Sequence, residues 1–385
     1  MNLEKTLPLA EPQSAATHEV RPTLAVLDGV RGISILMVLL HHVLLLPAPA
    51  HKVDVLIERA TRPLWTGVDL LFLLSGFLIT KSLLETPGSP SIGHFYLRRS
   101  LRILPLYLVS LLLFLVVFPA IPWEGFESYR TLDGPGARSF WLGFMNYHYS
   151  HESAPGNLGH FWSLCVEIHF YLIWPLLLLP FRRALIPLCV CGILLVAALR
   201  ILSIKTGYWT PDLGYHASHL RFDALLWGAL VYGLDRSYRE SPAWGRWLPR
   251  LLPLAGIAAS VFLVVGRTRS SHLGNLLGFP AVDLAFAIFL LLILQRSSGL
   301  FHGVLCTSFV RLSGKLSYAL YVFHYPVLLL CKEWIFQGSF PAWNGMIWPA
   351  ALLTGAVAVP LTFLLAWLSW HLLEKPCLSL KRHFA

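Results

Sequence analysis

The chain has 385 residues, 56% of them hydrophobic and 13% charged, with a mean hydropathy of +0.63, a composition that excludes an ordinary soluble domain. A net charge of +10 in so apolar a chain points to lysine and arginine held at helix ends on one side of a membrane, not to nucleic acid. Apolar runs of roughly 20 residues, in place of alternating strands of about ten, exclude a membrane β-barrel and predict an all-α, polytopic bundle of about ten transmembrane helices.

In chain order, residues 1–23 contain Glu4, Lys5, Glu11, Glu19 and Arg21 without an apolar core, so they are expected to form a cytoplasmic tail and not a signal peptide or a span. Breaks at proline, glycine and charge clusters then predict apolar segments at 24–46, 64–84, 95–118, 160–181, 184–203, 217–234, 249–265, 277–294, 309–331 and 344–372. Together they define a transmembrane domain over 24–376, followed by a second cytoplasmic tail at 377–385. With the N-terminus inside, the inner connections hold eighteen Lys and Arg residues and the outer ones ten, while Arg31 and Arg221 lie within spans. That bias places both termini in the cytoplasm. The longest connection, 119–159, then faces outward, and its aromatic and glycine-rich make-up suits a lid, an acceptor platform or an irregular interfacial loop. Six cysteines show neither disulfide nor zinc spacing and read as small buried hydrophobes, so no metal is expected.

Polar residues inside apolar spans carry the chemical information, because burying them in lipid is costly. In the first span Arg31 and His42 are eleven positions apart, which puts them on one helix face roughly 16 Å apart. An arginine there either snorkels to the inner interface or faces a polar conduit. The second span contains Asp69 and the small pair Ser75–Gly76, where another helix can approach closely. Asp69 would neutralise Arg31, orient a reacting group, or simply sit near the outer interface. Arg98, Arg99 and Arg102 fall within one turn of the third span, at its inner end, and guanidinium groups so clustered suit phosphates. Coenzyme A is a cytosolic ligand with such phosphates. Ser163, Glu167 and Tyr171 form one stripe of the fourth span, with His160 a turn earlier, and Glu167 is expected to pair with histidine or arginine. Of the later polar residues, which include Arg221, Asp223 and Glu374, His324 is the one expected to line the same cavity.

With these residues in this order, the chain resembles the acyltransferase-3 family, bacterial membrane O-acyltransferases that modify sugars, lipids and antibiotics. The resemblance runs from Leu27 to about Pro376 and rests on several blocks in order: LDGVRG with Arg31 and His42, GVDLLFLLSGFLI, FYLRRSLRILPLY, FWSLCVEIHFYL, LSYALYVFHYPV and LLEKP. The family's Arg-x-x-Arg pair falls on Arg99 and Arg102, and its catalytically implicated carboxylate on Glu167. Ile168 and His169 stand where members commonly have Glu-Gln. Longer members carry a fused periplasmic module, and none follows the last span here, so acceptor binding is expected to fall to the membrane part or to a partner.

The resemblance implies transfer of an acyl group, most often acetyl, from cytosolic acyl-CoA to a hydroxyl of a surface carbohydrate or glycolipid, in the bacterial inner membrane. Arg98, Arg99 and Arg102 are expected to hold the donor phosphates, and Arg31 to sit beside the pantetheine path. His42 would act as general base on the acceptor hydroxyl or be acylated itself. Glu167 would orient His42, and Asp69, Ser75 and His324 would contact substrate. The rival reading is a transporter or flippase for a polar lipid or sugar, since intramembrane Arg, His and Asp also describe a substrate pathway; the lack of an internal repeat counts against it.

Overall fold

The structure, a computed structural model, describes residues 20–85, 92–130, 134–149, 158–240, 248–266, 270–295 and 298–380. The two expected tails lie largely outside these residues, although helix is already present from Val20 and continues to Ser379. Ten principal helices follow the ten predicted segments: α1 Val20–Val43, α2 Gly67–Leu84, α3 Ile92–Leu112, α4 Trp162–Leu178, α5 Leu185–Lys205, α6 Phe222–Glu240, α7 Leu252–Val261, α8 Phe279–Gln295, α9 Ser317–Phe336 and α10 Trp348–Ser369. Among the described residues eight stretches are long and apolar enough to cross a membrane. The other two segments are helical as well, but α6 carries Asp223, Asp235, Arg236 and Glu240, and the apolar helix Leu252–Val265 is short.

One predicted span divides. The segment 309–331 is a short helix, Ser308–Lys315, that stops at Leu316 before α9 begins. The division has a packing reason: a β-carbon on Gly314 would strike the carbonyl oxygen of Asp28, and one on Gly32 that of Val310, so the short helix lies backbone to backbone against α1. A second such seam joins α2 and α6, where Gly76 meets the Leu225 carbonyl and Gly228 meets that of Leu73. Lipid supplies no hydrophobic drive for helices to associate, so close approach of this kind supplies the packing.

These seams make α1, α2 and α6 the centre of the bundle. The span Lys52–Leu84, which includes α2, and the span containing α4 each bury 67% of their apolar window inside the protein, against 22% for α5. The exposed Leu172, Ile173, Leu176, Leu177, Leu194 and Leu195 belong to the lipid-facing belt.

The described part of the long connection is helical and packed, not an irregular loop. Its short helices Glu127–Arg130, Gly134–Trp141 and Met145–His148 turn back into the bundle, burying Tyr129, Phe140, Met145 and Asn146. The Tyr107 hydroxyl donates to the Phe140 carbonyl at 2.6 Å, and Asn146 donates to the His216 carbonyl at 3.1 Å, which ties this segment to the connection before α6. Backbone buried in this way needs such partners.

Candidate active site

Two cavities lie along α1. The first is lined by Arg31, Ser75, Arg99, Arg102, Glu167 and Tyr171, among others. Glu167 is its fixed point: one carboxylate oxygen accepts from the Ser75 hydroxyl at 2.7 Å and the other from Tyr171 at 2.5 Å. Arg99 is held between aromatic faces, 5.5 Å from the Tyr171 ring and 5.7 Å from Phe95. Arg31 reaches Asp28 only at 3.8 Å, and its charged neighbours are Arg102, Asp28, Arg99 and Glu167. Three guanidinium groups against the single lining carboxylate leave the cavity net positive, as a polyanion requires.

The second cavity, about 840 Å³, is lined by aromatic rings and four histidines: His41, His42, His160 and His216. His42 donates from Nδ1 to the Val38 carbonyl at 2.9 Å, which in the neutral ring leaves the lone pair on Nε2. His160 donates from Nε2 to the Val322 carbonyl at 3.1 Å, and its buried Nδ1 has no partner. Behind His42 lies His324, its ring 4.9 Å from that of His42 and 5.1 Å from that of His160. His324 donates from Nδ1 to the Tyr321 carbonyl at 2.7 Å and leaves a buried Nε2 unpartnered. Each of the three rings thus commits one N–H to the main chain.

The predicted site residues therefore separate into groups. Arg31, Arg99, Arg102, Ser75 and Glu167 meet in the first cavity, and His42 belongs to the second. Glu167 does not orient His42, because both its oxygens are engaged by Ser75 and Tyr171 in the other cavity; the Val38 carbonyl holds the imidazole instead. His324 backs His42 beside Thr362 and Ala358 and does not line the main cavity. Arg98 lines neither cavity. His216 and Tyr325, both in the wall of the second cavity, carry no periodic signal in the sequence: His216 sits in a connection, and Tyr325 is masked by its neighbour His324.

Asp69 is also placed apart from both. It pairs with Arg221, each fully buried, and the Arg221 guanidinium lies 3.9 Å over the Phe279 ring. Arg200 bonds Asp223 at 2.7 Å beside them, and buried Asp283 completes the cluster. Asp69 thus neutralises Arg221, not Arg31, and the cluster pins α2, α5, α6 and α8 together. Removing one member leaves buried charge uncompensated, so Arg221→Met is expected to cost about 3–5 kcal/mol. The check is the thermal unfolding midpoint in detergent; an unchanged midpoint would show that the cluster does not hold these helices.

An acyltransferase-domain family model matches residues 24–368, nearly the stretch over which the motifs carry the resemblance. Over 381 residues the chain is 26% identical to the peptidoglycan O-acetyltransferase OatA of Listeria monocytogenes, covering 94% of this chain and 56% of that protein. It is 25% identical to the O-acetyltransferase OatA of Staphylococcus aureus, covering 91% and 56%. To the putative peptidoglycan O-acetyltransferase YrhL of Bacillus subtilis it is 27% identical, covering 91% and 54%. The chain thus spans about half the length of the curated relatives it matches. No solved structure matches it.

Proposed function

This chain belongs to the acyltransferase-domain family, and on that premise we propose that it is a membrane O-acetyltransferase that moves an acetyl group from acetyl-CoA to a hydroxyl of a cell-wall carbohydrate. The observation that carries this reading is the adjacency of the two cavities: three guanidinium groups in one and four histidines in the next. Names borne by relatives, O-acetyltransferase and peptidoglycan O-acetyltransferase, suggest the acyl group and the acceptor. With both termini in the cytoplasm of a bacterial inner membrane, the arginine cavity opens toward cytosolic CoA and the histidine cavity toward the cell wall.

In this mechanism Arg99 and Arg102 hold the donor phosphates, with Glu167 setting the walls of the cavity and Arg31 flanking the pantetheine arm. Two routes are chemically balanced. In one, Nε2 of His42 takes the proton of the acceptor hydroxyl as its oxygen attacks the thioester carbon; the C–S bond breaks, and the thiolate leaves and is protonated. In the other, Nε2 attacks the thioester, releases the thiolate, and passes the acyl group to the hydroxyl in a second step.

The test incubates the purified full chain with labelled acetyl-CoA and peptidoglycan glycan strands. Stoichiometric release of free CoA with label in ester linkage is the expected result. A flippase or transporter would release none, and that outcome would overturn the proposal.

A further inference from the structure

Val68 and Tyr321 are the two side chains that line both cavities, and the mechanism above uses neither. They stand where the arginine side gives way to the histidine side. If acyl transfer proceeds as proposed, the reacting carbon crosses between them.

Both walls of this waist are held. Val68 is 7% exposed, and its branched side chain has one strongly preferred rotamer on a helix. It rides on α2, which is locked against α6 by the Gly76 and Gly228 contacts. Tyr321 is tied at both ends: its hydroxyl donates to the His160 carbonyl at 2.9 Å and shares a hydrogen bond of 2.6 Å with Ser163, while its own carbonyl accepts from His324. Swinging the ring aside would strip buried polar groups of their partners, which is unfavourable.

We infer that the Val68–Tyr321 waist selects the transferred acyl group by its width, admitting unbranched groups such as acetyl and excluding those branched next to the carbonyl. This rests on the acyl-transfer reading. A thioester is planar, and an unbranched chain trailing or leading it adds no cross-section beyond one methylene. A second methyl on the α-carbon adds width at the plane that must reach His42. Rigid walls therefore discriminate by branching and not by chain length, and one methyl in such a slot is worth roughly 10- to 200-fold.

The experiment compares initial rates of ester formation on peptidoglycan strands from acetyl-CoA and from isobutyryl-CoA, using the full chain in detergent. The wild-type ratio is expected to favour acetyl, and Val68→Ala to lower that ratio by about tenfold. Val68→Ile, which narrows the waist, is expected to raise it. A ratio unchanged in either variant that folds overturns the inference; the ratio does not depend on how much of the preparation is folded, so a lower yield of folded protein cannot hide a shift. Should Val68→Ala fail to fold, Val68→Ile alone decides. Wild-type protein that transfers acyl groups with no preference between the two donors overturns the waist but not acyl transfer. Protein that transfers neither overturns the reading on which the waist rests.

Discussion

His42→Ala is expected to lower acyl transfer by about a thousandfold or more while the protein still inserts and still binds acetyl-CoA. The separation follows from geometry: His42 lines the second cavity, and the donor arginines line the first. The substitution removes the imidazole that would act as base or nucleophile, and with it the packing of the His324 and Tyr325 rings against that side chain. The measurement is ester formed per protein, set against the acetyl-CoA dissociation constant of the same preparation. Retained activity would remove His42 as the reacting group and turn attention to His160, whose Nδ1 has no partner. The wild-type protein separates the two routes when given acetyl-CoA alone: release of one equivalent of CoA marks an acylated imidazole, and none marks a general base.

Arg99→Ala and Arg102→Ala are each expected to weaken acetyl-CoA binding by roughly tenfold to a hundredfold, the scale of a lost hydrogen bond to a charged group. Arg99→Lys should restore little, since an ammonium lacks the planar fork that matches phosphate and stacks on aromatic faces, and Arg99 lies over Tyr171 and Phe95. S-Acetylpantetheine, which has no phosphates, provides the control. Its affinity should be the same in wild type and variants. Unchanged acetyl-CoA affinity in both alanine variants would dispose of the phosphate clamp.

Much of this arrangement was legible in the sequence, and the part that was not has one physical origin. Helical periodicity fixes which residues share a face, so Ser163, Glu167 and Tyr171 form a stripe in the sequence, and all three line one cavity. It says nothing about which helix that face meets. Asp69 finds its partner 152 residues away in Arg221, and Glu167 meets Ser75 of α2, 92 residues away, and not the imidazole of α1. The family resemblance brought Arg31, His42 and Glu167 together as one working group without their depths. At 1.5 Å per residue, eleven residues of helix keep Arg31 and His42 roughly 16 Å apart, and two cavities share that distance. The break at Leu316 leaves no mark in the sequence for a related reason: the apolar run continues through it, and the close passage of Gly314 over α1 is a tertiary fact.

The glycine-to-carbonyl seams bear on how anything crosses this protein. Transporters that expose a site to each side in turn do so by rocking one half of the molecule against the other, which needs a sliding surface. Here the innermost helices interlock main chain to main chain at Gly32, Gly76, Gly228 and Gly314, a ratchet with no smooth face on which to slip. A stationary barrier pierced by a slot fits this construction better, and on the proposed reading the bulky carrier would stay on the side it came from while only a fragment of a few atoms went through.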